Sequence, residues 1–322
     1  MKTILLTGAS GFVGSRLHPV LSRRGLRVRC LTRDHRKARR LFPDREWVEA
    51  DVADESSIRR AMEGCSAAYY LVHEMGTPGD YQEREARAAR IFADAAAGAS
   101  LERIIYLGGV MPSDGPSSTH LLSRARVGQI LADGPVPAIE LRASMIVGYG
   151  SLSFLIVRDL AARLPFMILP RWLDSKTEPV AIDDVLVALD RALDIDLRKS
   201  ESFDIPGPEV LSGKEILMRT AKALGLSYPL AIRVPILTPG LSSQWVRFVT
   251  RARWEVAREI VVGLTSDLLA ADDRYWKLIG HAERLDFSEA ARRAIAEDHA
   301  QSAGFWSRLE QLMRFFRGGG AA

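Results

Sequence analysis

Residues 5–14 read Leu-Leu-Thr-Gly-Ala-Ser-Gly-Phe-Val-Gly, so a short apolar run passes directly into three glycines with the spacing G-x-x-G-x-x-G. Glycines at this spacing permit a tight strand-to-helix turn and let the backbone approach a pyrophosphate. A helix starting here would present unpaired N–H groups and its positive dipole end to phosphates. A glycine turn without ligand is the alternative, but the βαβ series that follows favours a dinucleotide site. The candidate contacts are Gly8, Ser10, Gly11, Phe12, Val13 and Gly14.

Short apolar runs alternate with helix-length segments through the first half of the chain, which is the pattern of a parallel sheet built from βαβ units. Pro19 falls inside the first predicted helix, where it costs roughly 3 kcal/mol unless a kink absorbs it. The expected fold class is α/β, a Rossmann-type doubly wound parallel sheet. Strands are predicted near Thr3–Thr7, Arg27–Thr32, Trp47–Ala50, Ala67–Val72, Arg103–Leu107 and Ala138–Leu141. Helices are predicted near Phe12–Arg24, Glu55–Glu63, Tyr81–Ala97 and His120–Ala132.

The second half of the chain is less regular than the first. It contains a predicted helix near Leu152–Arg163, a proline-rich stretch and several further helices. We therefore expect a dinucleotide-binding domain over residues 1–148. Residues 149–322 would form a smaller, mostly helical substrate region that partly returns to the sheet.

Composition favours an ordinary globular protein. The chain has 322 residues, of which 47% are hydrophobic and 26% charged, and its net charge of +4 is too weak to predict a nucleic-acid partner. The two cysteines, Cys30 and Cys65, lack metal-site spacing and suit free thiols in a reducing cytoplasm. The start of the chain lacks the apolar stretch of a signal peptide, and no window is apolar enough to span a bilayer. The expected location is cytoplasmic.

The end of the second predicted strand bears on the choice between NAD and NADP. An acidic residue that binds the ribose is expected there, but the strand ends at Thr32 and Arg33 follows. A guanidinium suits a 2′-phosphate through charge-assisted, bidentate hydrogen bonds, so we expect NADP(H) to be preferred over NAD(H). Asp34 lies beyond the strand end and is interpreted as a helix cap. The basic residues after it could instead form a solvated helix face.

Two further segments follow predicted strands and face the same crevice. Asp51 and Val52 are placed to meet the adenine ring, although Asp51 could equally cap the next helix. Leu71, Val72 and His73 end the fourth predicted strand at the carboxyl edge of the sheet.

These motifs together resemble an atypical short-chain dehydrogenase/reductase with the architecture of the extended members. More narrowly, the chain resembles the NmrA-like NAD(P)H-binding proteins of the bacterial YbjT type over about residues 1–280. The resemblance implies an NAD(P)H site that includes Leu107 and Gly108. It is carried by residues 7–14, 28–33, 70–76, 106–109, 120–124, 140–148, 170–172, 177–185 and 203–208.

The chain departs from this superfamily at the catalytic pair. Typical members use Tyr-x-x-x-Lys to move a proton and hold the ribose, but none of the seven tyrosines here has lysine four residues later. The pair falls on His120 and Arg124. In one interpretation His120 supplies the proton and Arg124 holds the ribose. In the other, His120 begins a helix structurally and Arg124 anchors the cofactor or carboxylates. Tyr149 is a further hydroxyl near the expected nicotinamide end, or a loop packing residue.

Hydride transfer requires mainly that donor and acceptor carbons be held close together, so the missing tyrosine does not exclude reduction. We expect a small-molecule substrate with a carbonyl or quinone group, and a non-catalytic NADP(H)-sensing regulatory or structural protein is the alternative.

Trp172, Trp245, Phe248 and Trp254 could line an apolar pocket or form the core of a helical lid. The amphipathic segment 305–317 could lie on an acidic membrane surface, or dock on its own domain or another subunit.

Overall fold

The apolar runs of the sequence become the strands of a parallel sheet. The computed structural model describes residues 1–73, 81–112, 118–163, 166–169, 171–226, 230–233 and 266–301. The described strands are β1 (Thr3–Leu6), β2 (Arg27–Thr32), β3 (Glu46–Glu49), β4 (Ala67–Tyr70), β5 (Arg103–Gly109), β6 (Ala138–Ala143), β7 (Ile146–Val147), β8 (Phe166–Leu169), β9 (Lys176–Thr177), β10 (Val180–Ala181), β11 (Glu201–Asp204), β12 (Leu211–Ser212) and β13 (Leu230–Arg233).

Seven of these strands form the central sheet in the order β3–β2–β1–β4–β5–β6–β11. All of its neighbouring pairs are parallel. The chain reverses direction across the sheet between β1 and β4, which is the position where such folds bind ligands at the carboxyl ends of their strands. The prediction of a doubly wound α/β sheet is confirmed, and β11 shows that the second half of the chain returns to it.

Helices cover both faces of the sheet. Buried residues of α1 and α7 pack on one face, and those of α3, α4 and α5 pack on the other. The described helices are α1 (Phe12–Arg23), α2 (His35–Leu41), α3 (Glu55–Met62), α4 (Tyr81–Gly98), α5 (Thr119–Ala132), α6 (Leu152–Arg163), α7 (Ile182–Arg191), α8 (Gly213–Ala223), α9 (Arg274–Leu278) and α10 (Phe287–Gln301), with a 3₁₀ turn at Arg171–Asp174.

The sequence predicted strands β1 to β6 and helices α1, α3, α4, α5 and α6 to within about two residues. The structure also contains α2, a helix that was not predicted from the sequence. Asp34 caps it by accepting a hydrogen bond from the Lys37 N–H at 2.9 Å, so the interpretation of Asp34 as a helix cap is confirmed. Strands β5 and β6 continue two residues beyond the prediction, because Gly108 and Gly109 still pair with residues of β6.

Pro19 lies inside the unbroken helix α1. It has no N–H for the carbonyl of Ser15 four residues earlier, which would leave that oxygen without its helical donor. The Arg45 guanidinium supplies the missing hydrogen bond, with Nη2 2.9 Å from the Ser15 oxygen. A side chain from outside the helix thereby offsets part of the cost that the sequence predicted for this proline.

Part of the second half of the chain packs around a separate apolar cluster. This cluster joins α6, α8 and α10 through buried residues such as Phe154, Leu217 and Phe287. Three short strand pairs, β7–β10, β9–β12 and β8–β13, connect these helices. Cys30 and Cys65 are buried free thiols, as predicted. Among the described residues, no helix combines the length and apolar character that crossing a membrane requires.

Candidate functional site

A cavity of about 510 Å³ opens at the carboxyl ends of β1, β4, β5 and β6. It brings together residues that the sequence analysis predicted from separate motifs. The predicted residues that line it are Gly8, Gly11, Phe12, Val13, Gly14, Leu71, His73, Leu107, Gly108, His120 and Arg124.

The glycine loop forms one wall of this cavity and has no room for a side chain at Gly8 or Gly14. Gly8 has φ of +62°, and a Cβ there would overlap the carbonyl oxygen of Leu71. A Cβ on Gly14 would overlap the carbonyl oxygen of Gly8. The Thr7 side chain fixes this arrangement, because its hydroxyl donates to the Tyr69 carbonyl at 2.9 Å and accepts from the Leu71 N–H at 2.8 Å.

Helix α1 begins at this loop with free backbone donors. Gly11 is the N-cap and provides no side-chain cap, and the first helical hydrogen bond runs from the Ser15 N–H to the Gly11 carbonyl at 3.0 Å. The N–H groups of Phe12, Val13 and Gly14 have no acceptor among the described residues. Consecutive free N–H groups at a helix N-terminus bind phosphate, so the loop fits the diphosphate of a dinucleotide.

Arg45 supports the loop from the side away from the cavity, a role that the sequence analysis missed. Its guanidinium donates to the Ala9 carbonyl through Nη1 and to the Ser15 carbonyl through Nη2, both at 2.9 Å. It also stacks on the Phe42 ring, with Cζ 3.8 Å from the ring centroid. These contacts tie the two ends of the phosphate loop to one side chain from the residue before β3.

Six predicted contacts lie outside the described cavity lining: Ser10, Thr32, Arg33, Asp51, Val52 and Val72. Arg33 is exposed directly after β2. The Asp34 carboxylate accepts from Lys37, and the Thr32 hydroxyl accepts from the Asp34 N–H at 3.1 Å. The Arg33 guanidinium makes no hydrogen bond or ion pair with a described residue.

Asp51 does not cap helix α3. The cap is Asp54, whose carboxylate accepts from the N–H groups of Ser56 and Ser57. The capping alternative for Asp51 was therefore wrong, and the reason is that the chain makes one more turn between β3 and α3. Asp51 instead accepts from the Ala53 N–H at 2.9 Å.

His120 lies at the second position of helix α5 and faces the cavity. The helix begins at Thr119, and its cap is Ser118, which accepts from the Leu121 N–H at 3.3 Å. The helix therefore begins one residue before its predicted start, and His120 lies in its first turn. Burial, together with the charge of Arg124, lowers the pKa of His120 to about 3. Burial also holds the pKa of His73 well below its ordinary value, so both imidazoles are neutral at pH 7.

Arg124 joins α5 to the cavity-facing end of β5. Its Nη2 donates to the Leu107 carbonyl at 2.8 Å, and its own carbonyl accepts from the Tyr106 hydroxyl at 3.0 Å. Its buried Nε has no hydrogen-bond partner among the described residues. The guanidinium is therefore held at the cavity wall with hydrogen-bonding capacity left over, next to His120.

The far half of the cavity lies between α6 and α8, and none of its lining residues was among the predicted site residues. Its walls are mainly apolar, and its residues come from segments that are distant in sequence. Of the helices that form it, α6 was predicted from the apolar run near Leu152–Arg163. The main additional lining residues are Ser144, Met145, Ile146, Ser151, Ser153, Ile156, Val157, Leu160, Leu173, Ser175, Lys176, Thr177, Ile216, Leu217, Ser266 and Leu268.

Some predicted residues fall elsewhere. Tyr149 does not appear in the described lining of the cavity. Residues 74–76 of the Tyr70–Gly76 match lie outside the described residues, as do Trp245, Phe248, Trp254, the side chain of Trp172 and the segment 305–317.

Comparison with known proteins points to the same half of the chain as the glycine loop. A family model described as NAD(P)H-binding matches residues 8–159. A bifunctional dihydroflavonol 4-reductase/flavanone 4-reductase from Pyrus communis is 36% identical over 94 residues, which make up 26% of this chain and 26% of that protein. The chain thus matches about a quarter of the length of its curated relatives.

Solved structures share the fold over nearly the whole chain. The crystal structure of gox2253 superposes with a TM-score of 0.72 at 22% identity, covering 94% of this chain and 99% of that one. The Bordetella bronchiseptica enzyme WbmH, solved in complex with NAD+, gives 0.70 at 17% identity and covers 94% and 100%. Residues 8–159 therefore match an NAD(P)H-binding family model, and the chain as a whole shares the Rossmann-like fold of these solved structures.

Proposed function

We propose that this protein is an NADP(H)-dependent oxidoreductase that reduces the carbonyl or quinone group of an apolar small molecule. The observation that carries the proposal is a single cavity that joins the free N–H groups of the phosphate loop to an apolar chamber between α6 and α8. When bound, NADPH would supply the hydride. The chamber offers room for a second molecule beside it, which a protein that only binds a dinucleotide does not need.

In this proposal, His120 and Arg124 contact the substrate or the cofactor without the usual Tyr-Lys pair. His120 is neutral at pH 7, so its N–H can donate a hydrogen bond to a carbonyl oxygen, but imidazolium is not available as an acid. The Arg124 guanidinium stabilises negative charge that develops on that oxygen. Quinones and conjugated carbonyls suit this site, because they can take their protons from solvent.

The proposed preference for NADP(H) rests on Arg33. It follows β2 directly, it is exposed, and the neighbouring Asp34 carboxylate is already engaged as a helix cap. The predicted similarity to NmrA-like proteins of the YbjT type and a location in the cytoplasm belong to the same proposal. Buried, free Cys30 and Cys65 are compatible with a reducing compartment.

The test is to follow NADPH oxidation by absorbance with a panel of quinones and aldehydes. We expect turnover with apolar members of the panel, and a loss of at least tenfold in kcat/KM for His120→Ala. If turnover appears and His120→Ala leaves it unchanged, the role of His120 is refuted. Tight NADPH binding with no turnover across the panel would refute the reductase.

A second candidate function is an NADP(H)-sensing binding protein that regulates a partner. The observation that favours it is that no tyrosine in the chain has lysine four residues later, while the phosphate loop is intact. The same panel separates the two functions, because a sensor binds NADPH without consuming it.

A further inference from the structure

A short segment, residues 266–271, forms part of the wall of the apolar chamber between α6 and α8. Ser266 and Leu268 of this segment line the cavity. Leu268 makes an isolated parallel bridge with Thr177 of β9, and its N–H donates to the Lys176 carbonyl at 2.8 Å. Strand β9 pairs with β12, which leads directly into α8. Leu268 therefore belongs to the α8 side of the chamber.

Carboxylates hold the backbone of this segment in place. The Ala270 N–H donates to Glu178 Oε2 at 2.5 Å, and the Ala271 N–H donates to Asp204 Oδ2 at 2.7 Å. Asp204 is buried and is itself anchored to the central sheet, because its Oδ1 accepts from Arg142 Nε at 2.6 Å. Hydrogen bonds to charged acceptors are stronger than those between neutral groups. The segment is therefore a fixed part of the chamber wall.

The side chain of Leu268 lies on the cavity side of this segment. Leu268 is 6% exposed and lines the cavity, whereas the next residue, Leu269, is 39% exposed and is absent from the described lining. Among the described residues, Leu268 belongs to none of the three apolar clusters. The lining residues Leu160, Leu173 and Leu217, in contrast, are part of the cluster that joins α6, α8 and α10. Leu268 thus shapes the chamber without belonging to the core around it.

We infer that Leu268 is a specificity-determining residue that limits the length of the apolar substrate in the chamber. This inference rests on the proposed function and narrows its substrate class to compact apolar carbonyl compounds. The cavity of about 510 Å³ has the size of a site for a single drug-sized molecule. In the proposed function it holds the reacting end of NADPH as well as the substrate. The Leu268 side chain therefore occupies space that a longer substrate would need.

A shorter side chain at position 268 should enlarge the chamber, because its wall is held from several sides. A large-to-small substitution leaves a cavity to the extent that the surrounding structure cannot relax into it. The backbone around Leu268 is held by β9, Glu178 and Asp204. A longer substrate can fill the space that this backbone keeps open. Each additional CH₂ group that it buries there should raise its affinity about fourfold.

The experiment follows NADPH oxidation by the intact protein with unbranched alkanals from hexanal to dodecanal. In the parent protein, kcat/KM should rise with chain length and fall beyond a limit. Leu268→Ala should move this limit longer by about two to three carbon atoms, and it should raise kcat/KM at least fourfold for the first alkanal beyond the parent limit. Leu268→Phe should move the limit to shorter alkanals, because its side chain is larger.

The matched control is Leu269→Ala, which makes the same chemical change at the neighbouring, exposed position outside the described cavity lining. It should leave the length limit unchanged. Because Leu268→Ala and Leu268→Phe should move the limit in opposite directions, a general loss of stability cannot imitate the expected result.

A binding measurement makes the test independent of turnover. Calorimetry of the NADPH-loaded protein with unbranched alcohols should show affinity that rises by up to about fourfold for each CH₂ group as far as the length limit. Leu268→Ala should extend this rise by about two to three carbon atoms, and Leu269→Ala should not.

The outcomes distinguish this inference from the proposed function. A length limit for alcohol binding that shifts with residue 268, without turnover of any alkanal, would support the role of Leu268 and refute the reductase. Turnover with the same length limit in the parent protein, Leu268→Ala and Leu268→Phe would overturn the role of Leu268 and leave the reductase standing. An equal shift in Leu269→Ala would also overturn it. Absence of both turnover and alcohol binding would overturn both.

Discussion

At the scale of a single residue, we propose that Arg33 decides the cofactor preference. Its side chain is exposed directly after β2, and the neighbouring Asp34 carboxylate is engaged as a helix cap that accepts from the Lys37 N–H. A charge-assisted hydrogen bond to a phosphate contributes about 1.5–3 kcal/mol, so Arg33→Ala should weaken NADPH binding about ten- to a hundredfold. NADH binding should be almost unchanged, and calorimetric titration of both coenzymes measures the difference.

The matched control for Arg33 is Arg40→Ala, which removes an exposed arginine from the last turn of α2. It should change the affinity for NADPH by less than about threefold, because a solvated charge at that distance is screened by salt. A parent protein that binds NADH more tightly than NADPH would contradict the assignment, as would an Arg33→Ala variant with unaltered preference.

At the scale of an element, the phosphate loop works through backbone that lies too close for side chains. A Cβ on Gly14 would meet the Gly8 carbonyl oxygen, which is backbone and cannot move aside cheaply. Gly14→Ala should therefore displace the loop and weaken NADPH and NADH binding equally, by at least tenfold. Gly64→Ala is the control: Gly64 also has positive φ, of +71°, but nothing lies within 4 Å of its added Cβ. The Gly64→Ala variant should lose about 1 kcal/mol of stability and keep its affinity for NADPH and NADH.

Arg45, in the segment before β3, also supports helix α1. It donates to the Ser15 carbonyl, which Pro19 leaves without a helical donor. Because Arg45 holds the carbonyls of Ala9 and Ser15, Arg45→Met should weaken NADPH and NADH binding by the same factor, about three- to tenfold. Its control is Arg29→Met. Arg29 also donates to backbone carbonyls, those of Ala61 and Glu63 at 2.8 Å, but lies away from the loop and should cost stability only.

A double-mutant cycle separates the two roles of Arg45. Pro19→Ala restores an N–H that can donate to the Ser15 carbonyl, so Arg45→Met should lose less stability in that background than in the parent protein. We expect a coupling free energy of about 0.5–1.5 kcal/mol from urea unfolding curves. Additive effects would show that Arg45 does not compensate for the proline.

At the scale of the whole molecule, the second half of the chain completes both the sheet and the site. Strand β11 pairs with β6, and the Tyr69 hydroxyl donates to the Leu189 carbonyl of α7 at 2.8 Å. Removing residues 149–322 would expose the buried face of the sheet under α7. We therefore expect residues 1–148 alone to lack a cooperative thermal transition and to bind a hydrophobic dye. A sharp transition with retained NADPH binding would show that the predicted domain is independent.

The pH dependence of stability is a property of the whole molecule that Glu140 should influence. This side chain of β6 packs against Gly108 and Gly128 without a hydrogen bond among the described residues. Burial raises the pKa of Glu140 to about 7, although the charges of Arg142 and Arg124 act to lower it and that of Asp204 adds to the rise. Between about pH 4.5 and pH 7 the folded protein holds a proton that the unfolded chain releases. The stability linked to this proton is therefore lost as pH rises through 7.

Glu140→Gln removes this titration and should stabilise the protein at pH 8 by roughly 1–3 kcal/mol, with little change at pH 5. Thermal unfolding of the parent protein and of Glu140→Gln at pH 5 and pH 8 measures this difference in stability. Glu63→Gln, at an exposed position, should give the same small difference at both pH values. An equal effect of Glu140→Gln at pH 5 and pH 8 would contradict the prediction.

Local sequence determined the elements and the near half of the site. Apolar runs such as Ala67–Val72 predicted strands, because a strand covered by helices on both faces must be apolar nearly throughout. The three glycines predicted the phosphate loop, because a tight strand-to-helix turn restricts residue type within a few positions. Asp34 predicted a helix cap for the same reason: its partner Lys37 is only three residues away.

Tertiary structure decided the features that depend on partners far along the chain. Arg45 reaches a loop 30 to 36 residues earlier, and the end of the cavity joins Lys176 to Gly213 and Leu268. The burial that keeps His120 neutral comes from packing that its neighbours in sequence do not reveal. The order of strands and helices could be predicted because hydrogen bonds and side-chain periodicity act over a few residues. The chamber and its charges could not, because they exist only where distant segments pack together.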